Sequence, residues 1–473
     1  MLSLLLTFAS CWFGKKPKNH DHTMQAYLTS GDQSNLFREY SISPSSSSSN
    51  PTIKIDAKTK YQSMEGFGTA ITGSTVYNLM QMSEDVRNDI LYRTFSQDQM
   101  GHSSIRISIG CSDFSIEDYT YCDTPGIENF DIHWIDRRDL LPILKQIKSI
   151  NPDIKILASP WTAPRWMKVD APWTMNEHYQ WDGGRLNPNH YYDYAIYFVK
   201  YCQFMANEGI HIDYITIQNE PLNGFNSASL YMSWWECRDF IKQQLGPRFR
   251  EYGVDTKIVI YDHNFNYDGK SEEDAYPLHI YEDKEAAQYI DGSAWHAYGG
   301  EASELDRIHN ARPDKNIYFT EMSIGDWGYE FLSDLMWTMR EVCLGTINRF
   351  SRSIIVWNLL LDDEHGPYRP GGCTNCFGAI DVSKSNMSDM KYNTHWYAIS
   401  HLSKCVKNGA FRVRNEIGDQ SGFYSSVFQN PDGSFALVAE NDNDWGMDIV
   451  VDDGSQQYQI NIPSHSVFSS RWH

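Results

Sequence analysis

The stretch DYITIQNEPLNG, from Asp213 to Gly224, changes character in its middle. Its first half alternates Ile and Thr, a pattern that favours a buried strand. Its second half places Asn219 and Glu220 side by side and follows them with a proline, which does not extend a central strand. The sequence therefore predicts a strand that ends on an amide and a carboxylate, two groups that can take part in catalysis.

Seven other segments have the same build, and segments of helical periodicity such as WIDRRDLLPILKQIKSI separate them. Apolar strands that alternate with helices indicate a parallel sheet covered on both faces, and eight such units close most simply into a (β/α)8 TIM barrel. A doubly wound open sheet is the competing architecture, but EGFGTAITG is a poor match to the glycine fingerprint it would need. The predicted strands are SMEGFGTAIT from Ser63, SSIRISIG from Ser103, IKILASPW from Ile154, DYITIQNE from Asp213, KIVIYDHN from Lys257, DGSAWHAYG from Asp291, NIYFTEMS from Asn316 and RSIIVWNLL from Arg352.

The two ends of the chain have a different texture from the middle. From about Trp396 onward, short alternating strands are joined by turns such as NPDG, and NPTIKIDAKTKYQ near the start looks alike. We therefore predict an α/β protein whose barrel covers residues 63–395 and carries a small side β-sandwich domain built from both chain ends, residues 36–62 and 396–473. Residues 1–35 are predicted to be a signal peptide and a disordered leader.

The net charge of −21, from 40 basic and 61 acidic residues, opposes binding to nucleic acid or to anionic membrane surfaces. The apolar run Leu2–Ala9 is too short to span a bilayer but resembles the apolar region of a signal peptide, and no other segment could cross a membrane. We therefore expect a secreted or extracytoplasmic protein, at the cell surface, in the periplasm or in a lysosome-like compartment. A lipid anchor on Cys11 in the sequence FASC and an ordinary disordered tail stay open as alternatives.

The chain has nine cysteines, of which Cys373 and Cys376 form a C-x-x-C motif in GGCTNCFG. Such a motif serves redox chemistry or supplies half of a zinc site, but no second C-x-x-C or H-x-x-x-H completes a metal set. A disulfide that staples a loop and a pair of free thiols are the two remaining interpretations.

Residues with chemical capability fall repeatedly at the ends of the predicted strands. In a barrel these ends lie at one mouth, where such enzymes place their active sites. The candidate site residues are Arg106 and Asp113 at and after strand two, Trp161 at strand three, Asn219 and Glu220 at strand four, His296 and Tyr298 at strand six, Glu321 at strand seven and Trp357 at strand eight.

Glu220 and Glu321 would face each other across this mouth. Two opposed carboxylates suit cleavage of a glycosidic bond, because one protonates the departing oxygen while the other meets the positive charge that develops at the anomeric carbon. The acid must hold its proton near neutral pH, while the second carboxylate must stay ionised. Alone, Glu220 could be a helix cap and Glu321 an ordinary loop carboxylate; their joint position favours catalysis.

The other candidates have alternative interpretations. The two tryptophans could stack on a sugar or only pack at the rim, His296 could be a hydrogen-bonded core histidine, and Arg106 could form a buried ion pair with Asp113. A zinc enzyme would draw ligands from His279, His296, Asp262 and His263, but their spacing matches no metal motif, so we predict no metal and no cofactor. A non-catalytic carbohydrate-binding protein would share the aromatic residues without needing opposed glutamates.

The motifs EGFGTAIT, SIRISIGCSDFS, LASPWTAPRWMK, ITIQNEP, AWHAYGG, YFTE and WNLLL together resemble glycoside hydrolase family 30, the group of glucosylceramidases and endo-β-1,6-glucanases, over roughly Glu65 to Leu361. Thr69 and Gly73 depart from the first-strand motif of many members, which have glycine and aspartate there. The resemblance implies a retaining mechanism with Glu220 as acid/base and Glu321 as nucleophile. It also implies that the remaining candidates, namely Arg106, Asp113, Trp161, Asn219, His296, Tyr298 and Trp357, line the subsite of the reacting sugar.

From these features we expect a retaining β-glycosidase that is glucosylceramidase-like, with an endo-β-1,6-glucanase as the alternative. Its partner would be a β-linked glucoside, either a glycolipid or a glucan. Asn219 is expected to hydrogen-bond the 2-hydroxyl of the sugar.

Overall fold

The computed structural model describes residues 22–45, 49–226 and 228–473. Eight parallel strands close into a barrel in chain order, and strand eight pairs with strand one. The predicted TIM barrel is therefore confirmed, and the open sheet is excluded. Barrel strands one to eight are Gly66–Ala70, Ser104–Ser108, Lys155–Ser159, Tyr214–Thr216, Lys257–Asn264, Ile290–His296, Asn316–Glu321 and Ser351–Val356.

The glycines of barrel strand one allow a close approach between strands. A Cβ at Gly68 would lie 1.7 Å from the carbonyl oxygen of Ser104 in barrel strand two. No side chain fits at that distance, which explains why a buried strand contains a residue that ordinarily weakens strands.

Helices cover the outer face of the barrel and bury their apolar sides against it. Leu140–Ile150, for example, directs Leu144 and Ile147 into the core, and Glu84–Phe95 begins at Ser83, whose hydroxyl caps the backbone of the first turn. The other α-helices are Gly73–Gln81, Trp134–Arg138, Tyr191–Asn207, Trp234–Phe240, Gly246–Glu251, Tyr276–Glu282, Lys284–Ala287, Glu304–Ala311, Phe331–Trp337, Gly345–Ile347 and Thr394–Cys405, with π-helical turns at Ile241–Leu245 and Thr338–Leu344.

A nine-stranded sheet forms the side domain and has an apolar core of its own. The two chain ends meet in it, since Met24–Ser30 pairs with Ser466–Trp472 and Thr52–Ser63 pairs with Phe411–Glu416. The prediction of a side β domain built from both ends is confirmed. In sheet order its strands are Arg38–Ile42, Met24–Ser30, Ser466–Trp472, Phe435–Asn441, Phe423–Gln429, Phe411–Glu416, Thr52–Ser63, Met447–Asp452 and Gln457–Ile462.

The predicted limit of the leader at residue 35 is wrong, because Met24–Ser30 is a strand inside the side domain. Met24 and residues 26–30 of this strand are buried. One of the two strands that pair with it, Ser466–Trp472, lies at the other end of the chain, out of reach of local sequence patterns. The predicted signal peptide and the proposed lipid anchor at Cys11 lie outside the described residues, so the expected compartment stays a prediction.

Three small sheets decorate the barrel. Two of them pair Ile324–Gly325 with Cys376–Phe377 and Lys168–Val169 with Arg185–Leu186, and in the third Ile380–Ser383 lies between Leu360–Asp362 and Asn386–Tyr392. Cys373 and Cys376 form a disulfide, which decides between the two interpretations of the C-x-x-C motif. In the described part of the chain, no helix combines the length and the apolar character needed to cross a bilayer.

Candidate active site

Glu220 and Glu321 meet at the carboxyl end of the barrel. Glu321 ends barrel strand seven, and Glu220 lies in the loop after barrel strand four. A carboxylate oxygen of each lies within 4.8 Å of one of the other, and the two residues are only 8% and 6% exposed. The strand pattern predicts this convergence, and the closed barrel produces it.

The backbone at Glu220 explains why barrel strand four stops where it does. Its φ of 46° lies in the left-handed region, which costs a non-glycine residue roughly 1 kcal/mol or more. Hydrogen bonds hold this turn, since the Glu220 amide donates to the Asp262 carbonyl at 3.0 Å and the Asn219 amide donates to the Pro160 carbonyl at 2.8 Å. The loop backbone is thus bonded to the two neighbouring strands, and this fixes the position of the glutamate.

Arg106 is fully buried and joins the charged groups of the site. Its guanidinium donates to a carboxylate oxygen of Glu321, to Oδ1 of Asn219 at 2.8 Å and to Oδ2 of Asp262 at 2.7 Å. Burial alone would lower its pKa, but Asp262 and Glu321 raise it above the ordinary value. The possible ion pair between Arg106 and Asp113 is not formed; the partners of Arg106 come from other strands.

Asp262, in barrel strand five, belongs to the site, although the sequence analysis names it only as a possible zinc ligand. It is completely buried, and the opposing charge of Arg106 and the hydrogen bonds it accepts hold its pKa well below the usual range despite the effect of burial. Its position as an aspartate within the apolar run KIVIYDHN is the feature of the sequence that could have predicted this role. Its carboxylate accepts hydrogen bonds from Arg106 and His296 and from the hydroxyls of Ser159, Thr216 and Thr320.

His296 links Asp262 to Glu220. One ring nitrogen lies 3.0 Å from Asp262 and the other 3.3 Å from Glu220. Burial would lower the pKa of His296, but the charge of Glu321 and the hydrogen bonds to Asp262 and Glu220 raise it to about 9. His296 is therefore a cation at neutral pH. The alternative interpretation as a hydrogen-bonded core histidine describes its burial, but both of its hydrogen-bond partners belong to the site.

Glu220 responds in the opposite direction. Burial would raise its pKa, but the hydrogen bond from His296, the nearby imidazoles and a hydrogen bond from Asn223 lower it to about 2. The requirement that the acid hold its proton near neutral pH is therefore not met by Glu220 alone in this arrangement. The two groups form a coupled pair with one proton, which resides on His296.

Tyr298 contacts Glu321 from the side of barrel strand six. Its hydroxyl lies 3.0 Å from one Glu321 oxygen and 2.9 Å from the Ser323 hydroxyl. Burial of this hydroxyl and the charge of Glu321 raise the pKa of Tyr298 well above its ordinary value, so the group remains a donor. Ser323, which no motif in the sequence singles out, completes this contact.

Asp113 is a third carboxyl group that faces the two glutamates. Burial and the charges of Glu321 and Glu220 raise its pKa to about 7. One of its oxygens is buried and has no hydrogen-bond partner among the described residues. Asp113 can therefore accept a hydrogen bond from a ligand hydroxyl.

Trp161 and Trp357 stack on each other with ring centroids 5.1 Å apart, and both are almost completely buried. The Arg106 guanidinium lies 5.0 Å and 5.5 Å from their rings. Trp161 also has a buried indole N–H that meets no acceptor within the described chain. The pair thus packs against the arginine and still offers one unused donor to a ligand.

Of the four residues that a zinc enzyme would use, Asp262 and His296 lie 3.0 Å apart, whereas His279 and His263 have other partners. His279 stacks on Trp234, and His263 lies against Asp268. Among the described residues, the group with ligand atoms close enough to hold an ion is Glu220, His296 and Glu321. In that group both ring nitrogens of His296 already lie within hydrogen-bond distance of carboxylates.

Comparison with known proteins agrees with this geometry. The model of the glycosyl hydrolase family 30 TIM-barrel domain matches residues 64–406, and that of the family's beta sandwich domain matches residues 409–469. The barrel model thus covers the eight strands and both glutamates. The helix Thr394–Cys405 falls within the barrel match, so the predicted division at residue 395 lies inside a continuous helix.

Proteins of two named activities resemble the chain over most of its length. An endo-1,6-beta-D-glucanase of Aspergillus fumigatus is 31% identical over 86% of this chain and 84% of its own. The lysosomal acid glucosylceramidase of Mus musculus is 26% identical over 89% of this chain and 83% of its own. A solved endo-beta1,6-glucanase structure superimposes with a TM-score of 0.93 at 47% identity, covering 95% of this chain and 99% of that one. The chain therefore belongs to glycosyl hydrolase family 30 and is a glycoside hydrolase.

Proposed function

We propose that this protein is a retaining endo-β-1,6-glucanase in which Glu321 is the nucleophile and Glu220 the acid/base. The observation that carries the mechanism is the approach of the two carboxylates to within 4.8 Å. Retaining glycosidases hold their carboxyl groups about 5–5.5 Å apart, whereas inverting enzymes need about 6.5–9.5 Å to admit a water.

Glu321 attacks the anomeric carbon in the first step. The Arg106 guanidinium and the Tyr298 hydroxyl both donate to it, and these donors stabilise and orient a negatively charged carboxylate. The bond from the sugar to its leaving oxygen breaks as the ester to Glu321 forms, and the leaving oxygen takes up a proton.

That proton comes from the pair formed by Glu220 and His296. Since the pair holds one proton at neutral pH, Glu220 can pass it to the departing oxygen while His296 replaces it across their 3.3 Å contact. In the second step Glu220 takes a proton from water, which releases the sugar from Glu321. Asp262 fixes the ring of His296 throughout and stabilises its charge whenever the ring is protonated.

The remaining candidates bind the reacting sugar. Asp113 offers an unpartnered carboxyl oxygen, and Trp161 offers an unpartnered N–H. The Oδ1 of Asn219 accepts a hydrogen bond from Arg106, so its amide NH2 is the group that can donate to the 2-hydroxyl of the sugar. A binding protein without catalysis would have no use for the charged network that surrounds the glutamates.

The choice of a β-1,6-glucan over glucosylceramide rests on the similarities. The named glucanases are 30–31% identical to this chain and one of known structure is 47% identical, whereas the named glucosylceramidases are 26–28% identical. Glucosylceramide hydrolysis, the expectation from the sequence alone, is the second candidate. The test is to compare kcat/KM on a β-1,6-glucan and on glucosylceramide in detergent micelles; preference for the lipid would overturn the glucanase assignment.

The raised pKa of His296 predicts the alkaline side of the pH profile. The ring is charged below its pKa of about 9 and loses its proton as the pH rises through that value, so we expect kcat/KM for an aryl β-glucoside to fall there. In Asp262→Asn one of the charges that raise this pKa is gone, and the fall should move to lower pH.

The matched control is Asp274→Asn, which changes an exposed aspartate paired with Arg307 and should keep the wild-type profile. A profile of Asp262→Asn with an unshifted alkaline limb would contradict the role given to His296.

A further inference from the structure

Trp327 is an exposed indole in the loop that follows barrel strand seven, shortly after Glu321. The residue is 53% exposed, in contrast with the nearly buried Trp161 and Trp357 of the site. Loops after barrel strands form the mouth at which the active site lies. The indole is therefore presented at the same end of the barrel as the two catalytic carboxylates.

The backbone beneath this indole is shaped to receive it. A Cβ at Gly325 would lie 2.1 Å from Cζ3 of the Trp327 ring, so the ring lies directly on the glycine. The Trp327 amide donates to the Gly325 carbonyl at 2.8 Å, which closes a tight turn around Asp326. A larger residue at position 325 would displace the ring and would also press on the Asn375 carbonyl oxygen, 2.3 Å from the same Cβ.

The disulfide loop holds this turn from the other side. Ile324–Gly325 pairs with Cys376–Phe377, and the Asp326 amide donates to the Asn375 carbonyl at 2.8 Å. Because Cys373 and Cys376 are bonded, the segment that carries Asn375 is closed into a short ring. The disulfide of the C-x-x-C motif thus constrains the strand that pairs with the turn carrying Trp327.

The same segment is connected to the nucleophile. Ser323, next to this small sheet, lies 2.9 Å from the Tyr298 hydroxyl, which donates to Glu321. The segment from residue 321 to residue 327 thus runs from the reacting carboxylate to the exposed indole without leaving the mouth.

We propose that Trp327 is a stacking platform for a second glucosyl unit of the glucan chain, beside the unit that is cleaved, and that the disulfide loop keeps the platform in place. The proposal rests on the proposed glucanase function. The flat apolar face of a pyranose stacks on an indole ring, and this contact is independent of hydrogen bonding to the reacting sugar. Methyl β-glucoside has neither a second glucosyl unit nor an aromatic ring and does not make this contact.

The test measures the ratio of kcat/KM on a β-1,6-linked glucotetraose to kcat/KM on methyl β-glucoside, both followed by the sugar released. We expect Trp327→Ala to lower this ratio by about tenfold, Trp327→Phe to restore most of it because a flat ring remains, and Gly325→Ala to lower it by displacing the indole. Trp445→Ala, which removes a 63% exposed indole from the side domain, is the matched control and should leave the ratio unchanged.

Reduction provides an independent measurement. Dithiothreitol should lower the ratio for the wild type, whereas the double variant Cys373→Ser, Cys376→Ser should start low and not respond. An unchanged ratio for Trp327→Ala, or a parallel loss on both substrates, overturns the platform. A wild type that is inert on both substrates overturns the proposed function and the platform. A wild type that cleaves only the monoglucoside overturns the glucan specificity and the platform but leaves the glycosidase mechanism standing.

Discussion

Glu321→Ala is expected to lower turnover of an aryl β-glucoside by at least about 10⁴-fold, because the covalent route loses the atom that attacks the anomeric carbon. The site offers no substitute. Glu220 is held by His296 and Asn223, and Asp113 receives none of the hydrogen bonds from Arg106 and Tyr298 that orient Glu321. The measurement is steady-state hydrolysis of 4-nitrophenyl β-glucoside by wild type and variant.

Azide distinguishes a lost nucleophile from a damaged fold. A small anion fits the space left by the Glu321 side chain, so azide should restore turnover and give the α-glucosyl azide, since a single displacement inverts the anomeric carbon. Glu301→Ala, which removes an exposed glutamate from the loop after barrel strand six, is the control and should behave as wild type. Wild-type turnover by Glu321→Ala would remove this residue from the mechanism.

Glu220→Gln should slow cleavage of a β-1,6-glucan by about 10²- to 10⁴-fold, the usual contribution of general acid and base catalysis. The amide keeps the size of the side chain but cannot carry a proton from His296 to the leaving oxygen. A 2,4-dinitrophenyl β-glucoside needs no proton on its leaving group, so its first step should remain fast. Its second step should be slow, because no base activates the water.

The expected signature of Glu220→Gln is therefore a burst of dinitrophenol followed by slow turnover. Azide should then attack the glycosyl-enzyme and yield the β-glucosyl azide, since two displacements retain the configuration. The opposite anomers from the Glu220 and Glu321 variants assign the two roles independently of rate. An α-glucosyl azide from Glu220→Gln would reverse the assignment, and equal losses on both substrates would argue against an acid.

The pair of glutamates also shows how much of the site local sequence patterns predict. Each follows an apolar β-rich run, and the eightfold repetition of such runs predicts that both lie at one mouth of the barrel. Short alternating strands near both ends predict the side β domain in the same way. They do not predict its first strand, Met24–Ser30, because that strand pairs with Ser466–Trp472 at the other end of the chain.

The sequence by itself determined the order of strands and helices, and with it which residues reach the mouth of the barrel, because side-chain alternation and strand ends are local properties of the chain. Only the tertiary structure decided how those residues pair. Arg106 binds Glu321 across 215 residues of sequence, and Asp262 becomes the centre of the network, because barrel closure sets these distances. The location of the proton on His296 instead of Glu220 follows from the summed charges and burial around both groups, which no local pattern encodes.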